Sequence, residues 1–310
     1  EGMTSIMGDV RDLEHLKAVV REHKPEVVFH LAAQALVKEA YRIPAETFAV
    51  NVLGTVNVLE AIRQSDSVRV LVSITSDKAY RNKEWVWGYR ETDELGGHDP
   101  YSGSKGCAEL AIASYRTSFF SKEGSGTVVA STRAGNVIGG GDWARDRLIP
   151  DIVMAFQAGQ PVLIRNPRST RPWQHVLMPL DGYITLAEHL WEKGREFAEA
   201  WNFGPDDHEA KPVSWIVERM TYLWGNGASW RLDEQVHPHE DTYLKLDCSK
   251  AKTRLGWAPK LSLAETLEWI VEWYQHYYWD GGDLRQLTES QISRYESIGS
   301  VEAETAELKS

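Results

Sequence analysis

Short apolar runs rich in β-branched residues alternate with helix-like segments along the first half of the chain. The runs cover residues 26–32, 68–74 and 127–133, and helical patterns lie between them at 45–64 and 101–120. Strands that are buried on both faces read as continuous apolar runs, and strands joined by crossover helices pair in parallel. We therefore expect an α/β fold with a doubly wound, Rossmann-like parallel sheet that helices cover on both faces.

The sequence changes character near residue 135, where shorter elements and loops rich in Gly, Pro and Trp begin. Most of the 13 tryptophans lie after residue 140, and an amphipathic pattern near 261–278 predicts a closing helix. Aromatic packing in a second, smaller unit is the expected reason for these tryptophans, and stacking on a base or a sugar is the alternative. Residues 286–310 are polar and acidic, which predicts a mobile tail or a peripheral helix.

The composition limits the partners of the protein. The formal net charge is -11 and basic residues form no run, which disfavours nucleic-acid binding. The apolar runs are too short to span a bilayer, and no charged-then-apolar leader opens the chain. Cys107 and Cys248 lack zinc or disulfide spacing, and no cluster of His, Cys and carboxylates has metal-ligand spacing. We expect a cytoplasmic protein without a metal, a membrane anchor or a nucleic-acid partner.

The segment YSGSK places Tyr101 and Lys105 four residues apart at the start of a helical pattern. This spacing puts both side chains on one helix face, where the ammonium can favour the ionised phenol, a suitable base for a sugar hydroxyl that loses hydride. Alone it also fits an ordinary surface pair. Ser76, Asp77 and Lys78, however, follow an apolar run, and ligands bind beyond the carboxyl ends of strands in open α/β sheets. We expect one crevice lined by all five, although Asp77 also fits a helix cap and Lys78 a solvated charge.

The glycine cluster GGGDWA at 139–144 formally matches the G-x-G-x-x-G/A pattern of dinucleotide-binding turns. No acidic residue closes the next apolar run, and the bulky Trp143 stands where a helix and a strand must pack closely. We expect a loop on the substrate side. The chain starts at Glu1 without the strand, Gly-rich turn and helix with which a doubly wound nucleotide-binding domain opens.

Many ordered motifs resemble the extended short-chain dehydrogenase/reductases that act on nucleotide sugars. They are GDVRD (8–12), VVFHLAAQ (27–34), NVLGTVNVLEA (51–61), TSDK (75–78), YSGSK (101–105), RAGNVIGGGDWARDRLIPD (133–151), RSTRPWQHV (168–176), NFGP (202–205) and LKLDCSKAKTRLGWAPK (244–260). The resemblance extends to about residue 280 and is strongest to the 4,6-dehydratases of CDP-hexoses. It departs at the front, where the family's first β-α-β unit, roughly 30 to 60 residues, is missing.

The resemblance implies an NAD-binding domain and a nucleotide-sugar-binding domain. We expect the first to comprise residues 1–134 and 173–200, the second to comprise 135–172 and 201–285, and 286–310 to form the polar tail. The implied reaction is the NAD-dependent dehydration of CDP-glucose to its 4-keto-6-deoxy form, an entry to the deoxysugars of surface polysaccharides.

The resemblance also assigns roles to the crevice. Tyr101 and Lys105 take the positions of the catalytic pair, Ser76 that of a hydroxyl on the reacting sugar oxygen, and Asp77 that of a general acid, which must hold a proton at neutral pH. At Lys78 the dTDP-glucose dehydratases have a glutamate that is suited to removing the C5 proton. Lys78 either acts as that base, as a neutral amine, or stabilises the enolate, and both hypotheses stay open.

Further contacts follow from the resemblance alone. Besides the catalytic pair, the residues implied for NAD are Asp9, Val10, Leu31, Ala32 and Ala33. Those implied for the nucleotide sugar are Asn136, Arg147, Arg171, Gln174 and His175. Asp9 also fits a plain turn, and the resemblance implies a purely structural role for Asn51, which braces the sheet in the family. His239 and Glu240 are further candidates for reading the ribose or the base.

Two other functions compete with CDP-hexose dehydration. One is another nucleotide-sugar 4,6-dehydratase, an epimerase or a decarboxylase of the same superfamily, and Asp77 disfavours the last two because those relatives typically lack an acid after the hydroxyl. The other is a non-catalytic fragment, a binding module that cannot hold NAD tightly. Family members commonly pair through two helices, which implies a homodimer or a homotetramer.

Overall fold

The computed structural model of the protein describes residues 2–234 and 243–307, with side chains up to residue 298. His239 and Glu240 lie outside the described residues. The strands are β1 Val27–His30, β2 Val70–Ile74, β3 Val128–Ala134, β4 Val137–Ile138, β5 Val162–Ile164, β6 Thr170–Arg171, β7 Gln174–His175, β8 Ala200–Phe203, β9 Lys211–Pro212 and β10 Trp230–Leu232.

The helices follow the predicted alternation with the strands. They are α1 Leu13–His23, α2 Val37–Arg42, α3 Pro44–Phe48, α4 Gly54–Arg63, α5 Pro100–Tyr115, α6 Leu148–Gln157, α7 Leu177–Lys193, α8 Val213–Trp224, α9 Ser249–Leu255, α10 Leu263–Gln275 and α11 Leu284–Glu307. Turns of π-helix lie between α3 and α4 and directly after α5 and α10.

The main sheet has four parallel strands in the order β1-β2-β3-β8. Successive side chains of a strand point to opposite faces, and the two faces build separate cores. Leu71 packs in one core with Ile62 of α4 and Ile112 of α5, whereas Val70 packs in the other with Leu186 of α7. Helices therefore cover both faces of a parallel sheet, and the predicted doubly wound, Rossmann-like fold is confirmed.

A third hydrophobic core lies outside the main sheet. Residues from α6, α8 and α10 and from the two-stranded sheet of β5 and β10 form it, among them Ile152, Ile164, Val217 and Ile270. The predicted boundary at residue 200 falls inside β8 and is wrong there: β8 pairs with β3, and its Trp201 and Phe203 fill the core under α7. The assignment of the two units to cofactor and substrate stays a prediction.

The described part of the last segment, residues 286–307, lies in a peripheral helix, α11, which is one of the two predicted alternatives. Tyr295 is 4% exposed and its hydroxyl donates to Asp181 Oδ2 at 3.1 Å, while the Gln291 amide donates to the Trp269 carbonyl oxygen at 3.0 Å. These anchors are four residues apart, so that one face of an otherwise polar helix is fixed to α7 through Tyr295 and to α10 through Gln291. The sequence hid this contact because it depends on few side chains and not on an apolar stripe.

Candidate active site

The segment after β2 forms a short helical turn at the carboxyl edge of the sheet. The Ser76 hydroxyl oxygen accepts a hydrogen bond from the Lys78 amide at 3.2 Å, and the hydroxyl donates to Asp77 Oδ1 at 3.0 Å. Ser76, and not Asp77, therefore caps the turn. Ser76 and Asp77 are 6% and 4% exposed, and Lys78 is half-buried.

Helix α5 begins beside this turn. The Asp99 carboxylate accepts hydrogen bonds from the backbone amides of Tyr101 and Ser102 at 2.9 and 3.0 Å, which fixes the start of the helix. Tyr101 thus lies in the first turn and Lys105 in the second, on the same face, with 8% and 5% of their surfaces exposed. Both side chains are buried, so the alternative of an ordinary surface pair is wrong.

A third residue of this face, Glu109, was missed by the sequence analysis. Its carboxylate lies 2.9 Å from the Arg133 guanidinium, and both side chains are 3% exposed. The hydroxyls of Thr75 and Ser131 donate to the same carboxylate at 2.5 and 2.9 Å. The spacing of four after Lys105 was a signal for Glu109, but its partners come from β3 and the end of β2, which no local pattern reveals.

The environment shifts the pKa values of the pair. Burial raises the pKa of Tyr101 to about 12, with an opposing hydrogen bond from Ser76 and an opposing charge from Arg147. We expected the pKa of the Tyr101 phenol to be lowered. This direction is wrong for the protein without bound ligands, because desolvation outweighs the effects of Ser76 and Arg147. Burial also lowers the pKa of Lys105 to about 8, against the charge of Glu109, which raises it.

The Asp77 carboxyl meets the condition expected of a general acid. Burial raises its pKa, and the charges of Lys78 and Arg171 and the hydrogen bond from Ser76 oppose this shift only in part. Removal from water disfavours the charged form of a carboxyl group, which therefore keeps its proton to higher pH. The interaction also places Arg171, on β6, within electrostatic reach of Asp77.

The second unit brings cations to the same crevice. Arg147 precedes α6, forms an ion pair with Asp142 at 3.0 Å and acts on Tyr101 through its charge. Next to it, Asp146 has a φ of 64° and pairs with Lys38 of α2. The two units therefore meet at the predicted site, where the second unit's Arg147 and Arg171 act electrostatically on Tyr101 and Asp77.

The glycine cluster is a loop, as expected, and its glycines are explained by packing. A Cβ on Gly140 would lie 2.2 Å from Cγ of Trp273, so the indole occupies the space of a side chain. Trp143 packs against Tyr277 at 4.8 Å between ring centroids, and the Tyr274 hydroxyl donates to the Asp142 carbonyl oxygen at 2.6 Å. This aromatic contact with α10 confirms the packing role expected for these tryptophans.

The other predicted sugar contacts differ in exposure. Asn136 lies two residues after the end of β3, is half-buried and has a φ of 51°. Gln174 and His175 are 0% and 3% exposed, and Nδ1 of His175 accepts from the Leu177 amide at 3.3 Å. Protein encloses these last two side chains, so the substrate contacts predicted for them stay predictions that their exposure does not support.

The predicted cofactor residues lie on two segments. Leu31 and Ala32 are exposed and Ala33 is half-buried, just beyond the carboxyl end of β1. Asp9 is held in a turn by Arg11, whose hydrogen bonds lower the pKa of the Asp9 carboxyl to about 2. This geometry fits the plain-turn alternative for Asp9, and its contact with NAD stays a prediction.

Two neighbours support these segments. Val10 packs on α4, where a Cβ on Gly54 would lie 2.6 Å from Cγ2 of Val10. The Asn51 carboxamide accepts from the Gln34 amide at 2.8 Å and donates to the Ser104 hydroxyl oxygen at 2.8 Å. Asn51 thereby ties the loop after β1 to α5, which confirms its expected bracing role.

Among the described residues no group of three or more His, Cys, Asp or Glu side chains is placed to bind a metal ion. None of the described helices is both long enough and apolar enough to cross a membrane.

The sheet and the paired Tyr101 and Lys105 define a class of protein. Residues 1–200 match the family described as GDP-mannose 4,6 dehydratase, and the chain belongs to this family, within the extended short-chain dehydrogenase/reductases. A particular relative within the class is the CDP-glucose 4,6-dehydratase of Salmonella typhimurium. It is 55% identical over 298 residues, which are 95% of this chain and 83% of that protein. The resemblance inferred from the sequence is confirmed.

Solved structures agree with this fold. A UDP-glucose 4-epimerase from Thermotoga maritima with UDP-glucose superposes with a TM-score of 0.73 at 24% identity, over 87% of this chain and 84% of the other. A dTDP-glucose 4,6-dehydratase from Bacillus anthracis in complex with NAD superposes with a TM-score of 0.69 at 23% identity, over 89% and 81%. Both carry the architecture described above.

Proposed function

We propose that the protein is an NAD-dependent hydro-lyase that converts CDP-glucose to CDP-4-keto-6-deoxyglucose. The identity of 55% to a CDP-glucose 4,6-dehydratase supports the substrate. The observation that carries the reaction type is the buried Asp77 carboxyl, held 3.0 Å from the Ser76 hydroxyl and beside Tyr101. A 4,6-dehydratase needs an acid there for the departing 6-hydroxyl, whereas a 4-epimerase has no leaving hydroxyl.

The cofactor supplies the hydride acceptor for C4 and the hydride that is returned to C6. The exposed loop of Leu31 and Ala32 and the buried Lys105 fit its binding, because small side chains and an ammonium suit close approach to a ribose and a pyrophosphate. Asp9, Val10 and Ala33 complete the proposed NAD contacts.

The residues of the crevice handle the protons. Tyr101 takes the proton of the C4 hydroxyl as hydride leaves C4, and Ser76 orients that hydroxyl. The ketone at C4 acidifies C5. Lys78 either removes the C5 proton as a neutral amine, or stabilises the enolate as a cation while a water molecule accepts that proton. Asp77 gives its proton to the 6-hydroxyl, which leaves as water, and C5 regains a proton from the group that removed it when C6 is reduced. The proton that Tyr101 took from the C4 hydroxyl passes to solvent, from which Asp77 regains one for the next turnover.

The arginines near the crevice suit a diphosphate. Arg147 and Arg171 act electrostatically on Tyr101 and Asp77, and a guanidinium donates two parallel hydrogen bonds to a phosphate. With Asn136 they form the proposed nucleotide-sugar site, and Gln174 and His175 back it from the interior.

The decisive experiment compares nucleotide sugars. The purified protein is incubated with NAD and with CDP-, dTDP-, UDP- or GDP-hexose, and the 4-keto-6-deoxy chromophore is followed. We expect turnover of CDP-glucose above the others. Absence of turnover with the CDP sugar contradicts the assignment of CDP-glucose as the substrate. Product from the dTDP sugar alone favours the alternative of a dTDP-glucose 4,6-dehydratase.

We also propose that the protein pairs through α4 and α5 in the cytoplasm, as a homodimer or a homotetramer. Leu53, which precedes α4, and Leu110 of α5 are 58% and 59% exposed, which supports an apolar contact at these helices. Light scattering coupled to gel filtration tests this proposal with Leu110→Glu, which we expect to be monomeric.

A further inference from the structure

Gly135 follows directly after β3 and is buried against the Asp77 carboxyl group. A Cβ at this position would lie 1.8 Å from Asp77 Oδ2, 2.1 Å from Cγ and 2.7 Å from Oδ1. Real Cβ atoms essentially never approach other heavy atoms within 3.0 Å. The carboxyl group of Asp77 therefore fills the space that a side chain on residue 135 would take.

The backbone of Gly135 is held from behind. The side-chain nitrogen Nε2 of Gln174 donates to the carbonyl oxygens of Gly135 and Phe203 at 3.2 and 3.0 Å. It thereby joins the ends of β3 and β8. The backbone amide of Gln174 donates to the Asn136 carbonyl oxygen at 3.1 Å. Gln174 is 0% exposed, so water does not compete for these bonds. Residue 135 cannot retreat from Asp77 without breaking them.

We propose that Gly135 is a positioning residue that places the proton-donating carboxyl of Asp77. On one side the Ser76 hydroxyl donates a hydrogen bond to Asp77 Oδ1. On the other side Asp77 Oδ2 lies against the Cα of Gly135, in the space of the missing Cβ. We call this space the Gly135 niche, with Gln174 as its support. The inference rests on the proposed function, because there Asp77 is the acid that releases the 6-hydroxyl.

A methyl group in the niche displaces the carboxyl by about 1 Å or more, an error that costs on the order of 100-fold in rate for a positioned group. The loss falls on one step. The Asp77 proton is used only after C4 has been oxidised, so hydride still leaves C4. That hydride cannot be returned to C6 until the 6-hydroxyl has left as water. The displaced acid therefore stalls the enzyme with its cofactor reduced.

The chain offers a matched control one strand away. Gly204 follows β8 as Gly135 follows β3, and Ala134 and Phe203 are register partners. A Cβ on Gly204 would meet the Cys248 Sγ at 3.5 Å, an ordinary contact. With the full chain, NAD and CDP-glucose, we expect Gly135→Ala to form product about 100-fold more slowly while the absorbance of reduced cofactor builds up. Gly204→Ala should retain the activity and show no build-up.

Two results overturn the proposal: product formation by Gly135→Ala at the rate of the Gly204→Ala control, or a loss of hydride transfer that parallels the loss of product. The first means that the methyl group does not move the acid. The second means that the substitution damages the whole site.

A measurement without substrate keeps the niche testable if the proposed function fails. Asp77→Ala removes the group that a methyl at 135 would overlap, so Gly135→Ala should lower Tm less in the Asp77→Ala background than in the wild type. Equal losses of Tm in both backgrounds contradict the niche. A wild-type protein that makes no product from CDP-glucose, combined with unequal losses, rejects the proposed function and keeps the niche.

Discussion

The Glu109 carboxylate lies 2.9 Å from the Arg133 guanidinium, one helical turn beyond Lys105, and both side chains are 3% exposed. This ion pair joins α5 to β3 in the interior and so helps to fix against the sheet the helix face that carries Tyr101 and Lys105. Arg133 and the hydroxyls of Thr75 and Ser131 lower the pKa of Glu109 against the effect of burial. Glu109 therefore keeps a negative charge beneath Lys105.

Removing that charge should destabilise the protein strongly. Glu109→Gln leaves Arg133 buried without its partner, and loss of one member of a buried pair costs about 3–5 kcal/mol in the free energy of unfolding. Urea denaturation measures this quantity. Glu289→Gln, which breaks the exposed pair with Arg285 on α11, is the matched control and should change little. Equal effects of both substitutions are incompatible with a structural role for the buried pair.

The raised pKa of Asp77 predicts how stability depends on pH. The folded state holds the Asp77 proton to higher pH than the unfolded chain, whose carboxyl has a pKa near the usual 3.8. Stability is therefore lost as pH rises from about 4 towards the folded-state pKa. Asp77→Asn lacks this loss, so its Tm relative to the wild type should increase over that range. A difference in Tm that stays flat with pH argues against a buried acid.

Lys105 predicts the opposite sign. Its pKa falls from 10.5 to about 8 on folding, so between these values the unfolded chain binds more protons than the folded one. The wild type should gain stability with rising pH in that window, relative to Lys105→Met, and the difference should be constant below it. Thermal unfolding across the window checks this. Parallel curves for the two proteins would falsify the lowered pKa.

Lys78 can be assigned by isotope exchange. Lys78→Met removes both a base and a cation, and Lys78→Glu restores a base of opposite charge. If Lys78 removes the C5 proton, solvent deuterium should enter C5 only slowly in Lys78→Met and recover in Lys78→Glu, with the pH-rate profile shifted to lower pH. Exchange in Lys78→Met at the wild-type rate rules out the base and leaves the enolate-stabilising role.

The sequence predicted the parts of the fold that depend on local pattern. The runs near Val70 and Val128 were predicted as strands because continuous apolar runs rich in β-branched residues favour strands that are buried on both faces. The boundary at residue 200 failed because Trp201 and Phe203 lie in an aromatic-rich region yet pair with β3, a choice that only the sheet makes. The direction of the Tyr101 pKa failed because spacing reports a neighbouring charge but not the depth of burial.

The sequence predicted the residues that line the crevice, but it missed the residues that support them from behind. Asp77 and Tyr101 follow strand ends and a helix start, which have local signatures. Glu109, Gly135 and the support from Gln174 depend on contacts between segments that are far apart in the chain. Glycine has no functional group that a sequence pattern could reveal. The role of Gly135 follows only from the Asp77 atoms that fill the space a side chain would take.

The ion pair between Lys38 and Asp146 has a consequence for how the crevice responds to salt. It joins α2 to the loop before α6, and its side chains are 50% and 47% exposed. Exposed pairs contribute little to stability and weaken further with ionic strength. This link between the two sides of the crevice should therefore weaken as salt is added, whereas the three hydrophobic cores, which depend on buried apolar contacts, should stay intact.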